Sequence, residues 1–156
     1  MKNKKLSFFV CVAIPLLVGG LSALVSSKAM ENYKGLVQPP LAPPGWIFPV
    51  VWTILFVLMG IASFLVLKQG PDRDEVANAL KVYGVQLVFN FVWSILFFNL
   101  GLYYLAFGWL VMLWVLILVT ILQFNSISKA AARLMVPYLL WVTFAGYLNL
   151  AIAILN

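Results

Sequence analysis

The 156-residue chain has no histidine, a single cysteine and few charges, since Asp, Glu, Lys and Arg make up only 9% of it. Without histidine, it has no imidazole for a proton relay, a Ser-His triad, a haem ligand or a zinc site. With Cys11 alone, it can form neither an intrachain disulfide nor a thiolate metal cage. These absences exclude most conventional acid–base and metal chemistry.

The low charge also excludes a water-soluble domain, because charged residues make up about a quarter of an ordinary soluble chain. Hydrophobic residues account for 65% of the sequence and aromatic residues for 15%. This composition, in a chain of this length, predicts a small integral membrane protein with one domain.

Five apolar stretches contain no Asp, Glu, Lys or Arg, and each is close to the ~20 residues with which a helix crosses a bilayer. They cover residues 6–25, 46–67, 82–100, 103–124 and 134–155. The first follows three lysines, as a secretory signal does, but it is longer than a signal h-region and no clear cleavage site follows it. We therefore predict an all-α membrane protein, a bundle of five transmembrane helices with the first one retained.

Basic residues are distributed unevenly between the connections. Only Lys28 and Lys34 lie on one side of the bundle, and the other side carries Lys2, Lys4, Lys5, Lys68, Arg73, Lys81, Lys129 and Arg133. The positive-inside rule then predicts a cytoplasmic N-terminus and an outside C-terminus. Topology thus explains the net charge of +6 without a nucleic-acid partner, and the lack of an Arg-rich, Ser-rich transit peptide favours a bacterial plasma membrane.

The link at residues 27–45 is the longest connection, and it holds the pairs Pro39-Pro40 and Pro43-Pro44. Paired prolines favour stiff, extended backbone, and long loops in compact domains tend to cover binding sites. We predict a lid, with a simple spacer as the alternative. Residues 68–81 are expected to form a solvated turn, and Gly101-Leu102 a tight hairpin.

Polar, aromatic and small residues recur at helical spacing on four of the stretches. The stripes are Gly19, Ser22, Ala23 and Ser26; Trp52, Phe56, Met59 and Ser63; Gln86, Asn90, Trp93 and Phe97; and Trp141, Ala145, Leu148 and Ile152, with Asn149 beside the last. If these faces converge, they enclose a neutral, aromatic-walled cavity suited to a flat, largely apolar ligand. Lys28, Lys34 and Tyr33 would then meet an acidic edge of that ligand at the lid. Ordinary helix packing is the alternative for every stripe.

Three segments resemble the translocator protein family, also called the tryptophan-rich sensory protein or peripheral-type benzodiazepine receptor family. They are QPPLAPPGWIFPVVWT at residues 38–53, QLVFNFVWS at 86–94, and VPYLLW at 136–141 followed by Phe144-Ala145 and Leu148-Asn149. The likeness extends over essentially the whole chain, in the order that the family has.

The resemblance implies a five-helix bundle, commonly a homodimer, with a pocket beneath the first loop. It implies a membrane receptor or sensor that needs no cofactor and binds porphyrins, notably protoporphyrin IX, and hydrophobic ligands of the benzodiazepine and isoquinoline types. Light-dependent degradation of the porphyrin is the enzymatic activity that it suggests. The alternative is a passive carrier or regulator of tetrapyrroles or sterols that converts nothing.

Carried over residue by residue, the resemblance implies nine ligand-binding positions and two residues for the photochemistry. The photochemical pair is Trp52 and Trp141, and the binding positions are Ser22, Tyr33, Pro43, Trp52, Phe56, Asn90, Trp93, Trp141 and Ala145. The animal sterol motif at the end of the last helix is absent, because residues 151–156 contain no aromatic and no basic residue.

Overall fold

The computed structural model describes residues 3–156, apart from the side chain of Asn32. Lys2, one of the basic residues used to predict the orientation, lies outside the described residues. The helices are α1 (Lys4–Ser26), α2 (Ala29–Lys34), α3 (Ile47–Leu67), α4 (Asp74–Ser94), α5 (Tyr103–Ile127) and α6 (Lys129–Leu155), and a π-helical segment, Ile95–Asn99, continues α4. No strand occurs within residues 3–156.

Five of these helices are long and apolar enough to cross a membrane: α1, α3, α4 with its π-helical segment, α5 and α6. The prediction of an all-α bundle of five transmembrane helices is confirmed. The protein is a multi-pass integral membrane protein. Which terminus faces the cytoplasm stays a prediction.

The third long helix begins earlier than predicted, at Asp74 rather than at residue 82. Asp74 and Glu75 occupy its first turn, where negative charge interacts favourably with the helix dipole. Val76 and Ala79 are fully buried, so this turn also contributes to the core. The prediction of a solvated turn at residues 68–81 is therefore wrong for its second half.

The last helix also begins early, at Lys129 rather than at residue 134. The Ser128 hydroxyl caps it by accepting a hydrogen bond from the backbone N–H of Ala131 at 3.3 Å. Ala131 and Ala132 are buried, which gives this extra turn an apolar face to pack. Helix α2 similarly interrupts the link at residues 27–45, which is not extended throughout.

The π-helical segment changes which residues of this helix face inward. A π turn holds one residue more than an α turn and commonly lies at a functional site. Here it brings the adjacent residues Phe97 and Phe98 to the same side of the helix, towards α2. Asn99 ends the segment and donates a side-chain hydrogen bond to the Val25 carbonyl at 2.9 Å, which ties it to α1.

Helix α1 lies at the edge of the bundle, since only Ser7, Pro15 and Ser26 of its residues are buried. It approaches α3 most closely at Gly60, where an added Cβ would lie 2.5 Å from the Cα of Val12. The core is formed mainly by α3, α4, α5 and α6, and its largest fully buried residues include Met59, Leu113, Ile117, Phe124, Met135 and Tyr138.

Candidate functional site

A cavity of about 350 Å³ lies between α1, α3, α4 and α6, beneath α2. Its volume is at the lower end of the range for small-molecule sites, about 300–1,000 Å³. No Asp, Glu, Lys or Arg lines it, so the cavity is electrically neutral. Most residues of the four stripes line this cavity, whereas Met59, Ser63 and Gln86 do not.

Eight of the nine predicted binding residues line this cavity. They are Ser22, Tyr33, Trp52, Phe56, Asn90, Trp93, Trp141 and Ala145. Pro43 does not line it, because the proline-rich part of the link runs to α6, where the Tyr147 hydroxyl donates to the Pro40 carbonyl at 2.6 Å. Whether these residues bind a ligand stays a prediction.

The aromatic wall is built from rings in edge and stacked contacts. Trp52 stacks on Phe56 with ring centroids 5.6 Å apart, and it meets the edge of Trp141 at 6.4 Å with an interplanar angle of 89°. Phe48 contacts Trp141 at 5.9 Å. Such pairs add about 0.5–1.5 kcal/mol beyond area burial, so the wall is well ordered before any ligand arrives.

One buried network of hydrogen bonds holds the Asn90 amide. The Tyr138 hydroxyl donates to Gln86 Oε1 at 2.6 Å and accepts from Asn90 Nδ2 at 2.8 Å. Gln86 Nε2 points to the sulfur of Met59 at 3.8 Å. Because Asn90 Nδ2 is engaged, the Asn90 carbonyl oxygen is the atom of this amide without a partner among the described residues.

The cavity tryptophans differ in whether the protein satisfies their N–H groups. Trp93 Nε1 donates to Asn149 Oδ1 at 3.0 Å, and Asn149 Nδ2 in turn donates to the Tyr103 carbonyl at 2.8 Å. The indole N–H of Trp141 is buried without an acceptor within residues 3–156, and the Trp52 indole donates no hydrogen bond among these residues either. The two indoles singled out from the sequence are thus the ones with a free donor.

Tyr33 of α2 closes the cavity from above. Its ring contacts Phe48, Phe97 and Phe98 at centroid distances of 6.1, 5.9 and 5.5 Å. Burial raises the pKa of the Tyr33 hydroxyl above its ordinary value. Neither Lys28 nor Lys34 lines the cavity, contrary to their expected role at the lid.

The link that carries Tyr33 is also attached to the end of α6. The Asn156 side chain accepts from the Val37 N–H at 3.0 Å and donates to the Val37 carbonyl at 3.1 Å. With the bond from Tyr147 to Pro40, three hydrogen bonds hold the link closed on this side. We call this link, residues 27–45, the lid; it is fixed at the end of α6, and whether it opens stays a prediction.

Comparison with known proteins identifies the family of this chain. The model of the TspO/MBR family matches residues 11–155. The chain belongs to the TspO/MBR family. It is 40% identical to the tryptophan-rich protein TspO of Chlorobaculum tepidum, over 100% of this chain and 99% of that one.

Other members of the TspO/MBR family come from distant organisms. The chain is 32% identical to the tryptophan-rich sensory protein of Cereibacter sphaeroides, over 97% of this chain and 90% of the relative. It is 34% identical to the translocator protein of Sus scrofa, over 87% of this chain and 82% of the relative. The resemblance found in the sequence motifs is thereby confirmed.

Several lining residues of this TspO/MBR family member are absent from the predicted set. Phe48 could have been found, because it lies four residues before Trp52 on the same helix face. Phe98 could not, since regular helical spacing from Asn90 and Trp93 selects Phe97 and only the π-helical turn adds its neighbour. Gln86, conversely, lies on the predicted face but below the cavity.

Proposed function

We propose that this TspO/MBR family protein is a membrane receptor that binds a flat, largely apolar ligand of the porphyrin class, with protoporphyrin IX as the first candidate. The observation that carries the proposal is the set of unpaired polar groups in an aromatic cavity. The Asn90 carbonyl and the Trp52 N–H offer one acceptor and one donor to a ligand, and the Trp141 N–H is a further donor of the same wall, buried without an acceptor. Names such as "sensory protein" among the relatives fit a receptor role.

The polar groups explain why a ligand would be favoured over an empty site. A buried donor without an acceptor costs about 1–3 kcal/mol, and a ligand carbonyl or carboxylate that accepts from an indole recovers this free energy. The rings of Trp52, Phe56 and Trp93 supply flat surfaces for stacking. Smaller aromatic amides, such as benzodiazepine and isoquinoline ligands, have the same combination of rings and a carbonyl acceptor.

A titration of tryptophan fluorescence with protoporphyrin IX tests the binding proposal. Three of the six tryptophans line the cavity, namely Trp52, Trp93 and Trp141, so a bound porphyrin quenches their emission directly. We expect saturable quenching that a benzodiazepine displaces competitively. Quenching that rises linearly with porphyrin and is not displaced would contradict the proposal.

The second candidate activity is light-driven loss of the bound porphyrin, and the pair of free indoles favours it. Trp52 and Trp141 contact each other at 6.4 Å and both face the cavity. In the proposed step, an indole passes an electron to the excited porphyrin, which passes it to dioxygen. The oxidised indole then takes an electron back from a porphyrin, so that the porphyrin is oxidised and dioxygen is reduced by one electron.

Illumination of the complex in air tests this activity. At saturating porphyrin, we expect Trp52→Phe and Trp141→Phe to slow porphyrin loss although binding is only weakened, and Trp114→Phe, outside the cavity, to have no such effect. Equal rates in all variants would rule out a role for these indoles. Unchanged porphyrin spectra after illumination of the native complex would favour the passive carrier.

A further inference from the structure

The cavity wall is incomplete on one side only. Four of its lining residues are solvent- or lipid-exposed: Gly20 and Ala23 of α1, and Pro49 and Thr53 of α3. Every other lining residue is buried or half-buried, including those from α2, the π-helical segment and α6. The opening of the cavity therefore lies between α1 and α3.

The packing of α1 explains this opening. Near residue 60 of α3 the two backbones touch, because Gly60 has no side chain to separate them from Val12. Closer to α2, the Phe56 ring of α3 occupies the space that a side chain at Gly19 of α1 would need. At Gly20, an added Cβ would meet nothing within 4 Å. The interface is thus filled at Gly60 and Gly19 and open at Gly20.

Hydrogen bonds attach the far end of α1 to α4 and to the π-helical segment. The Ser22 hydroxyl pairs with the Ser94 hydroxyl of α4, and Asn99 donates to the Val25 carbonyl at 2.9 Å. Both contacts draw this end of α1 towards α4 and the π-helical segment. The gap between α1 and α3 is therefore a built feature of the closed bundle.

The gap faces the lipid, whereas the lid covers the aqueous side. Gly20, Ala23 and Thr53 lie within the spans of α1 and α3, and Leu21 and Leu24 beside them are exposed apolar residues. Tyr33 and the hydrogen bonds of the lid to α6 close the other approach. An apolar ligand dissolves in the bilayer and is concentrated there.

We propose that the gap between α1 and α3, lined by Gly20, Ala23, Pro49 and Thr53, is the entrance through which a ligand dissolved in the bilayer reaches the cavity. The lid then stays closed during uptake. This inference rests on the proposed function, because it needs a ligand that binds in the cavity. It adds a route and a source for that ligand, the hydrocarbon of the membrane.

Blocking the gap tests the route. The double variant Gly20→Phe/Ala23→Phe places two rings in it, and Leu21→Phe/Leu24→Phe adds similar bulk on the lipid-facing side of the same helix. Both leave the number of tryptophans unchanged. Stopped-flow quenching by protoporphyrin IX in phosphatidylcholine nanodiscs gives the association rate, and a chase with empty vesicles gives the dissociation rate.

We expect the blocked variant to lose roughly tenfold in both the association rate and the dissociation rate, because an obstructed path raises the barrier in both directions. The control should match the native protein. Unchanged rates in the blocked variant, or an equal loss in the control, would overturn the proposed route. If the double variant does not fold, Ala23→Leu provides a smaller obstruction with the same expected direction.

Loosening the lid tests the competing route through water. The variant Tyr147→Phe/Asn156→Ala removes the three hydrogen bonds that attach the link to α6. Entry from the bilayer predicts unchanged rates, whereas faster uptake and release would show that the lid is the entrance. Absence of saturable binding in the native protein would instead refute the proposed function itself.

Discussion

The two halves of the bundle are built from similar apolar residues but pack in opposite ways. In the half that lies away from the lid, small residues such as Gly60, Ala62 and Ala79 let the helices approach closely. In the lid-side half, the rings of Trp52, Trp93 and Trp141 hold the helices apart around a cavity. Side-chain size at the facing positions, rather than hydrophobicity, decides which half is solid and which is hollow.

The largest expected effect comes from breaking the close contact in the solid half. Gly60→Leu would place a side chain where Val12 Cα and the Cys11 carbonyl lie 2.5 and 2.8 Å from the new Cβ. Overpacking of this kind costs about 1–3 kcal/mol, and more where backbone must move. We expect a clear fall in Tm in detergent. Gly108→Leu is the control, since its Cβ meets nothing within 4 Å; equal losses in both would contradict the close packing.

The next effect comes from the network beneath the cavity. Tyr138→Phe removes the hydroxyl that joins Gln86 to Asn90 and leaves two buried amides without that partner. We expect a destabilisation of about 1–3 kcal/mol and weaker ligand binding, because Asn90 loses its fixed orientation. Tyr104→Phe, at an exposed tyrosine, is the matched control. A Tm and a Kd equal to those of the native protein would argue against the network.

Two tryptophan substitutions compare a satisfied indole with a free one. Trp93→Phe leaves Asn149 without its donor, so we expect a loss of about 1 kcal/mol in the free energy of unfolding. Trp141→Phe removes an N–H that has no acceptor, so stability should be unchanged or higher while ligand affinity falls. Thermal unfolding with and without ligand checks both. The reverse order of stabilities would contradict the assignment of the free donor.

The smallest expected effect concerns the lid at alkaline pH. Burial raises the pKa of Tyr33 in the folded protein, so its neutral form contributes stability that is fully present below about pH 10. This contribution is lost as the pH rises through the folded-state pKa. We expect Tm to fall in that range and this fall to be absent in Tyr33→Phe. An identical alkaline profile for both proteins would assign the change to another group.

Much of this architecture could be predicted because the membrane restricts the chain so strongly. Apolar length sets the number of helices, and helical spacing places Trp52, Asn90 and Trp141 on faces that meet. Apolar length does not predict the start of α4 at Asp74, because its first turn carries the charged residues Asp74 and Glu75. The helix dipole and the buried residues Val76 and Ala79 stabilise this turn. Spacing alone cannot reveal that an indole lacks an acceptor, since that depends on every neighbour.

Pro43 shows a different limit, because a family motif can lie near a site without lining it. The motif at residues 38–53 identifies the family correctly, and its Trp52 lines the cavity. The prolines before it belong to the part of the link that runs to α6, and this path follows from contacts of Tyr147 and Asn156 far along the chain. Long-range contacts of this kind leave no local pattern.

The π-helical segment has a consequence for insertions and deletions in this helix. Before its extra residue, the helix directs Asn90 and Trp93 towards the cavity. After it, the chain continues to Tyr103, whose carbonyl accepts a hydrogen bond from Asn149. Deleting a single residue from Ile95–Asn99 would restore a regular α-helix and would turn all that follows by about 100°. The number of residues in this segment therefore determines which side chains face the cavity, in addition to the identity of those side chains.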